Sequence, residues 1–182
     1  REDAISGCSE ASIPGKSLSF TGGDCYFNFL KILEIVLHEG VNPRTGWDIF
    51  PTKQLEEHTC VEDIITEFQR HLSMYMSLVV PLTAVTSATD AELNPTPFTS
   101  GTIDYRIQMA SDMSEGGGEN VKYSQTILQG HGTADFANSI YAIDRLVFQD
   151  KVITLREFVE ILDNNWEGEK GRTIKNKVLK LP

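Results

Sequence analysis

No Cys-x-x-Cys pair and no cysteine–histidine cluster occurs in this chain. Its three cysteines, Cys8, Cys25 and Cys60, are odd in number and far apart. That spacing excludes the usual zinc and iron–sulfur centres and argues against a disulfide framework, so a reducing cytoplasm is the expected setting. Positive charge is in deficit as well. Against 16 Lys and Arg stand 26 Asp and Glu, a formal net charge of −10. Such a field repels a polyanion, so nucleic acid is not an expected partner. The most apolar run, Cys25 to Leu37, is interrupted by Asn28, Lys31 and Glu34. It is too short and too charged to span a bilayer, and no membrane partner is expected. No apolar stretch follows Arg1 to Ala4, so no secretory leader is expected. A starting Met is missing, and both ends are expected to be cuts in a longer protein.

What is present suits a folded chain. Hydrophobic residues make up 40% and charged residues 23% of 182 residues, enough for one domain with a sizeable core. Residues 5 to 24 carry Pro14-Gly15 and Gly22-Gly23 and read as a long loop. Asp24 is placed to cap a helix over 25 to 39 that is apolar on nearly every side, hence buried all round, with Gly40 as its stop. Asn42 to Gly46 is a turn. Thr59 and Glu62 stand at capping-box spacing before a second helix, with Val61, Ile64, Ile65, Phe68, Leu72 and Met76 on one stripe and Pro81 at its end. A break at Asn94 to Pro97 precedes a third helix over 99 to 113 and a glycine-rich turn over 114 to 120. A strand is predicted over 123 to 129. Helices follow over 134 to 149 and after a second capping box, Thr154 with Glu157. The reading is mostly helical with few strands.

Chemistry centres on Gly7-Cys8-Ser9-Glu10. In an extended loop, residues two apart point the same way, so a thiol and a carboxylate could face one cavity. A thiol is a one-electron or nucleophilic centre, and a carboxylate moves protons. By spacing alone the bland alternative is the commoner one, a small cysteine packed inertly. His38, His58, His71 and His131 are available as bases, but nothing in the sequence pairs one with Cys8. His38 is read as complementing a helix dipole, and His58 and His71 as surface positions. Trp47 and Trp166 are read as packing residues.

The wider context is more specific. Ala4-Ile5-Ser6-Gly7-Cys8-Ser9-Glu10 is followed by Pro14-Gly15-Lys16, by Tyr26-Phe27-Asn28 with Lys31-Ile32-Leu33-Glu34, and by Gly40-Val41-Asn42-Pro43-Arg44-Thr45-Gly46. Further on stand Thr96-Pro97-Phe98-Thr99-Ser100, Glu115-Gly116-Gly117, Gln129-Gly130-His131-Gly132, and Asn138-Ser139-Ile140-Tyr141-Ala142-Ile143 with Leu146-Val147-Phe148. Together these resemble the glycyl radical enzymes, the pyruvate formate-lyase-like superfamily, in family order over about residues 4 to 170. Its patterns run G-C-x-E, P-G-K, F-N-x-x-K-x-L-E, P-x-P-F-x-S and Q-G-x-G.

The resemblance implies an α/β fold: a fragment of a ten-stranded α/β barrel, mostly helical here, with a central cysteine loop. It implies that residues 1–182 are an internal segment of one such barrel domain. It further implies a protein-derived glycyl radical outside this segment, installed by a radical SAM activating enzyme, in a homodimer acting on a small molecule. By position, Cys8 is the thiyl residue and Glu10 the acid/base. The single cysteine followed by C-x-E points to the branch that eliminates water, amine or sulfite, or decarboxylates an arylacetate. A formate acetyltransferase-like acyltransferase and a non-catalytic helical scaffold are the rivals. Where diol dehydratases carry a His-Asp pair, this chain reads Phe20-Thr21-Gly22-Gly23-Asp24. Thr21, Asp24 and His131 are therefore the candidate substrate contacts. Asp24 is also sufficient as a helix cap, and His131 as a hydrogen-bonded loop histidine. The family's radical glycine lies in an R-V-x-G-Y/F segment that does not occur here, so this segment alone is expected to be inactive.

Overall fold

The computed structural model describes residues 4–6, 10–12, 25–115 and 128–181. The elements in chain order are β1 (Ala4–Ser6), β2 (Glu10–Ser12), β3 (Cys25–Asn28), α1 (Phe29–Leu37), α2 (Val61–Leu93), α3 (Pro97–Ser100), α4 (Asp104–Met109), β4 (Leu128–His131), α5 (Thr133–Ile143), α6 (Leu155–Asp163) and α7 (Gly168–Val178). Strands β1 and β2 pair antiparallel, and β3 pairs with β4. The described residues are thus mostly helical, with two small sheets.

Two compact units divide the chain. One holds residues 28–75 and 130–182, the other residues 1–27 and 76–129. The core of the first is built from the apolar faces of α1 (Ile32, Leu33, Val36), α2 (Ile64, Phe68), α5 (Ala142, Ile143) and α6 (Phe158, Val159), with Ile174 of α7. Each such side chain removed from water contributes about 1.5–3 kcal/mol.

The predicted first helix is corrected at both ends. Cys25 to Asn28 is strand, because Tyr26 and Phe27 suit a pleated surface and alternate exposed and buried. The cap is therefore Asn28 rather than Asp24: its Oδ1 accepts the Lys31 N–H at 3.2 Å. The helix is followed by two left-handed residues, Glu39 (φ 56°) and Gly40 (φ 89°), not by glycine alone. The Gly40 N–H reaches back to the Ile35 carbonyl at 2.9 Å. A Cβ at Gly40 would collide with the Phe50 carbonyl oxygen and lie 2.7 Å from Thr52 Oγ1, so the next loop packs directly on this backbone. The turn at Asn42 forms as expected, closed by Gly46 N–H to Asn42 O at 2.8 Å.

Pro81 does not end α2, which continues to Leu93. Proline costs a helix one N–H. Only the carbonyl four residues earlier loses its helical N–H, so the ladder on either side of Pro81 still forms. Thr83, Thr86 and Thr89 add hydroxyl bonds to the Val80, Leu82 and Val85 carbonyls, each at 2.9 Å. By length and composition alone α2 could cross a membrane; it is much longer than the Cys25–Leu37 run, though less apolar on average. A core helix of a soluble protein meets the same test. The cap before α2 is also different from the reading. Asp63, not Glu62, accepts from Thr59 N (2.8 Å) and Thr59 Oγ1 (3.0 Å). Those two donors, the backbone one first, lower its pKa to about 2.

The third predicted helix is two short ones, α3 and α4, separated by Gly101 to Ile103. The strand predicted over 123 to 129 is β4 at its later end, while residues 123–127 lie outside the described residues. The helix over 134 to 149 is α5 followed by a π-helical turn at Asp144–Gln149. The Thr154 and Glu157 capping box forms in both directions, and Phe158 and Val159 are buried behind it. Trp166 packs edge-on to Phe158, whereas Trp47 is 72% exposed and packs no core.

Candidate functional site

The residue pair Ser6 and Glu10 stands directly opposite in the antiparallel β1–β2 register. Cys8, Thr21 and Asp24 lie outside the described residues, as does the side chain of Glu10. Glu10 itself is the first residue of β2.

His131 is described, and it is exposed at the last residue of β4. The strand then turns at Gly132, whose φ of 82° suits glycine, and Phe136 N–H bonds the Gly132 carbonyl at 2.8 Å to start α5. β3 enters α1 in the same abrupt way, through the Asn28 cap. Both strands thus run straight into helices, and ligands of open α/β sheets bind outside the carboxyl ends of such strands.

Side chains of α1 press on the β4 junction. The Phe29 ring lies against Gly130, and Leu30 lies beside Gly132. Phe29 is edge-on to Phe68 at 5.4 Å between centroids and to Phe136 at 6.1 Å, and Phe68 and Phe136 are 4.3 Å apart. Three rings from α1, α2 and α5 therefore meet beneath the strand end.

Several motif residues prove to be ties within the fold. Lys31 binds both Glu34 and Asn42 Oδ1 (3.0 Å), joining α1 to the turn, and Asn42 Oδ1 also accepts the Arg44 N–H. In the other unit, Asp112 gathers the Thr96-Pro97-Phe98-Thr99-Ser100 segment. Its carboxylate accepts from Ser114 Oγ (2.6 Å), Thr96 N (2.9 Å), Ser114 N (2.9 Å), Thr96 Oγ1 (3.1 Å) and Ser100 Oγ (2.9 Å). These donors, the Ser114 hydroxyl first, hold it well below the usual carboxylate range.

The histidines read as surface positions are corrected: His58 and His71 are 7% and 0% exposed. His71 is enclosed by the Phe50 ring, edge-on at 5.2 Å, and by Thr52. Thr52 Oγ1 donates to the Phe50 carbonyl (2.8 Å), which uses its only hydrogen. The 2.6 Å contact between Thr52 Oγ1 and His71 Nε2 therefore requires Nε2–H as donor. Nδ1 is left as an unprotonated, buried acceptor without a partner. Burial lowers the His71 pKa, helped by Arg70 and opposed by Glu67. His38 caps α1 through Nδ1 to the Glu34 carbonyl (2.7 Å) and pairs with Asp163 at 3.0 Å. Among the described residues, none of these three histidines is joined to a cysteine. No group of three or more metal-ligating side chains occurs among the described residues.

The whole chain, residues 1–182, matches the family described as pyruvate formate lyase-like. The chain belongs to that family. Among its relatives is a (2S)-3-sulfopropanediol dehydratase of Klebsiella oxytoca, 25% identical over 93% of this chain and 20% of that protein. A solved structure concerned with 1,2-propanediol dehydration in Roseburia inulinivorans superposes with a TM-score of 0.80 at 26% identity, covering 99% of this chain and 23% of that one. A glycyl radical enzyme from Archaeoglobus fulgidus is similar at a TM-score of 0.74 and 29% identity, over 92% and 21%. This pyruvate formate lyase-like chain therefore spans about a fifth of the length of these relatives. Neither the cluster at Phe29 nor the clasp at Asp112 was legible in advance, because each joins residues far apart in sequence. The family-like order of Asn28, Lys31, Glu34 and Asn42 was a signal for the first tie, had their roles been separated from catalysis.

Proposed function

We propose that the complete enzyme is a radical lyase or dehydratase, with Cys8 as its hydrogen-abstracting residue and Glu10 as its acid/base. The observation that carries this is the family match across the entire chain, taken with the resemblance of Gly7-Cys8-Ser9-Glu10 to the family's G-C-x-E pattern. The full fold would be a ten-stranded barrel, of which these residues supply strands and outer helices.

The glycyl radical, on a part of the enzyme beyond this segment and generated by a radical SAM activating enzyme, supplies the one-electron oxidising equivalent. Cys8 gives up its S–H hydrogen atom and becomes a thiyl, which takes a hydrogen atom from a substrate carbon. Glu10 accepts the proton of a hydroxyl on that carbon, and the resulting ketyl expels the leaving group from the neighbouring carbon. The leaving group takes that proton from Glu10 and so resets the carboxylate. The product-side carbon radical then takes its hydrogen back from Cys8, so the cycle is redox-neutral. Thr21, Asp24 and His131 are the substrate contacts, His131 from the carboxyl end of β4. We assign the enzyme to the reducing cytoplasm, as a homodimer, on its cysteine usage and the family resemblance.

The test uses full-length enzyme activated without oxygen, with propane-1,2-diol and (2S)-3-sulfopropanediol, the compounds in the relatives' names, as first probes. A glycine-centred doublet should appear by electron paramagnetic resonance. Cys8→Ala should keep that doublet and lose turnover, and Glu10→Gln should keep it while slowing turnover by about 100-fold or more. An activated enzyme without the doublet, or full turnover in Cys8→Ala, overturns the reading.

A further inference from the structure

The geometry points to Phe29 and Gly130 as positioning residues, a steric gauge that sets where the end of β4, and so His131, stands. This rests on the reading of His131 as a substrate contact. Gly130 is not among the glycines with positive φ, so its backbone conformation does not demand glycine. Space does. A Cβ at position 130 would lie 2.7 Å from Phe29 Cε1 and 3.0 Å from Cε2, and closer still to Cζ. At Gly132 the nearest atom to such a Cβ is Leu30 Cγ, at an ordinary 3.6 Å. The tight clearance is therefore at residue 130.

A ring tip usually yields, but this one is held. Phe29 meets Phe68 and Phe136 edge-on, and Phe68 is 6% exposed. Phe29 and Phe136 are half-buried and Gly130 is exposed, but contact with the buried Phe68 limits where the Phe29 ring can go. The strand has to move instead. Successive residues of a strand point to opposite faces, so Phe29 bears on one face of β4 while His131 looks out from the other. Phe136, the third ring, belongs to the helix that Gly132 starts, which closes the loop of contacts back onto the strand end. The thickness of one aromatic ring thereby sets how far His131 reaches.

The experiment is a double-mutant cycle in the full-length activated enzyme, with kinetics normalised to radical content on whichever of the two probes is turned over. Gly130→Ala should raise KM by about 10-fold or more with kcat within about 3-fold, since a displacement near 1 Å can cost on the order of 100-fold. Phe29→Leu, which removes the ring tip, should have a smaller effect alone. Combined with Gly130→Ala it should bring KM back to the Phe29→Leu level. Truncating the ring would also relieve a purely structural clash, so the KM-against-kcat split, and not rescue alone, separates positioning from a loss of folded enzyme. Unchanged KM in Gly130→Ala, or additive effects in the double variant, overturns the proposal. If the gauge pair couples but His131→Ala leaves KM unchanged, the gauge stands without its link to His131, and the proposal as stated falls. Where neither probe is turned over, crystal structures decide: a His131 Cα that stays within about 0.3 Å between wild type and Gly130→Ala refutes it, and a larger shift reversed by Phe29→Leu supports it. Absence of the radical doublet in wild type would count against the proposed function and not against the gauge.

Discussion

Replacing Thr52 by Val removes one hydroxyl that serves two partners. In the wild type it donates to the Phe50 carbonyl at 2.8 Å and accepts His71 Nε2–H at 2.6 Å. Valine keeps the shape, so packing changes little. The imidazole N–H, however, loses its acceptor in a site with 0% exposure for His71. A buried donor left unmade costs about 1–3 kcal/mol. The loop held by this contact is the one whose Ile49 and Phe50 N–H groups bond the Gly40 carbonyl, at 2.8 and 3.4 Å. If that loop opens locally, 1–3 kcal/mol corresponds to amide exchange faster by about 5- to 150-fold. Hydrogen–deuterium exchange with mass spectrometry on the full-length protein reads this from peptides covering residues 40–52. Thr52→Ser restores the hydroxyl and should return exchange close to wild type. Exchange in Thr52→Val within about twofold of wild type, or a Thr52→Ser variant as labile as Thr52→Val, would refute the tautomer and its role.

The same histidine gives a pH prediction. Its pKa is lowered below the ordinary 6.5, so its contribution is complete above that value and is lost as pH falls through the folded pKa. Loop protection should decline from pH 7.5 to 5.5 more in wild type than in His71→Phe, and parallel declines would exclude His71. Asp112→Asn should loosen residues 96–114, because an amide accepts through one oxygen and cannot hold all five donors. Faster limited proteolysis within that segment checks it, and an unchanged pattern would mean the clasp is incidental.

Local signals were legible and distant ones were not. Thr154 and Glu157 are three residues apart and form their box as read, since both partners lie within one turn. Thr59 failed on the same rule because Asp63, one residue further, takes both of its donors. Pro81 reads as a stop from its own chemistry, but it removes only one N–H from a helix of 33 residues, and α2 runs through it. His71 looked superficial because its wall comes from Phe50 and Thr52, in a separate loop. The short polar helix α7 carries little periodic signal beyond Ile174. For the site, colinear motifs pointed to Cys8 and Glu10 and to the family, whereas no pattern announced that Gly130 answers to a ring at Phe29.

The course of α2 bears on biosynthesis. As the chain leaves the ribosome, Phe68 can meet Phe29, which is already made, but Phe136 is synthesised only after all of α2 and both α3 and α4. Meanwhile Leu78, Val80, Leu82 and Val85 further along the same helix carry exposed apolar surface. The nascent helix therefore spends the translation of a long intervening stretch with its ring pocket half-built and an apolar flank bare. Such a species is the kind that chaperones hold and that aggregates when they do not. The pairing of Phe29 with Phe68 becomes the earliest available nucleus, and slow or crowded translation beyond Leu93 is the step at which yield of this protein would be won or lost.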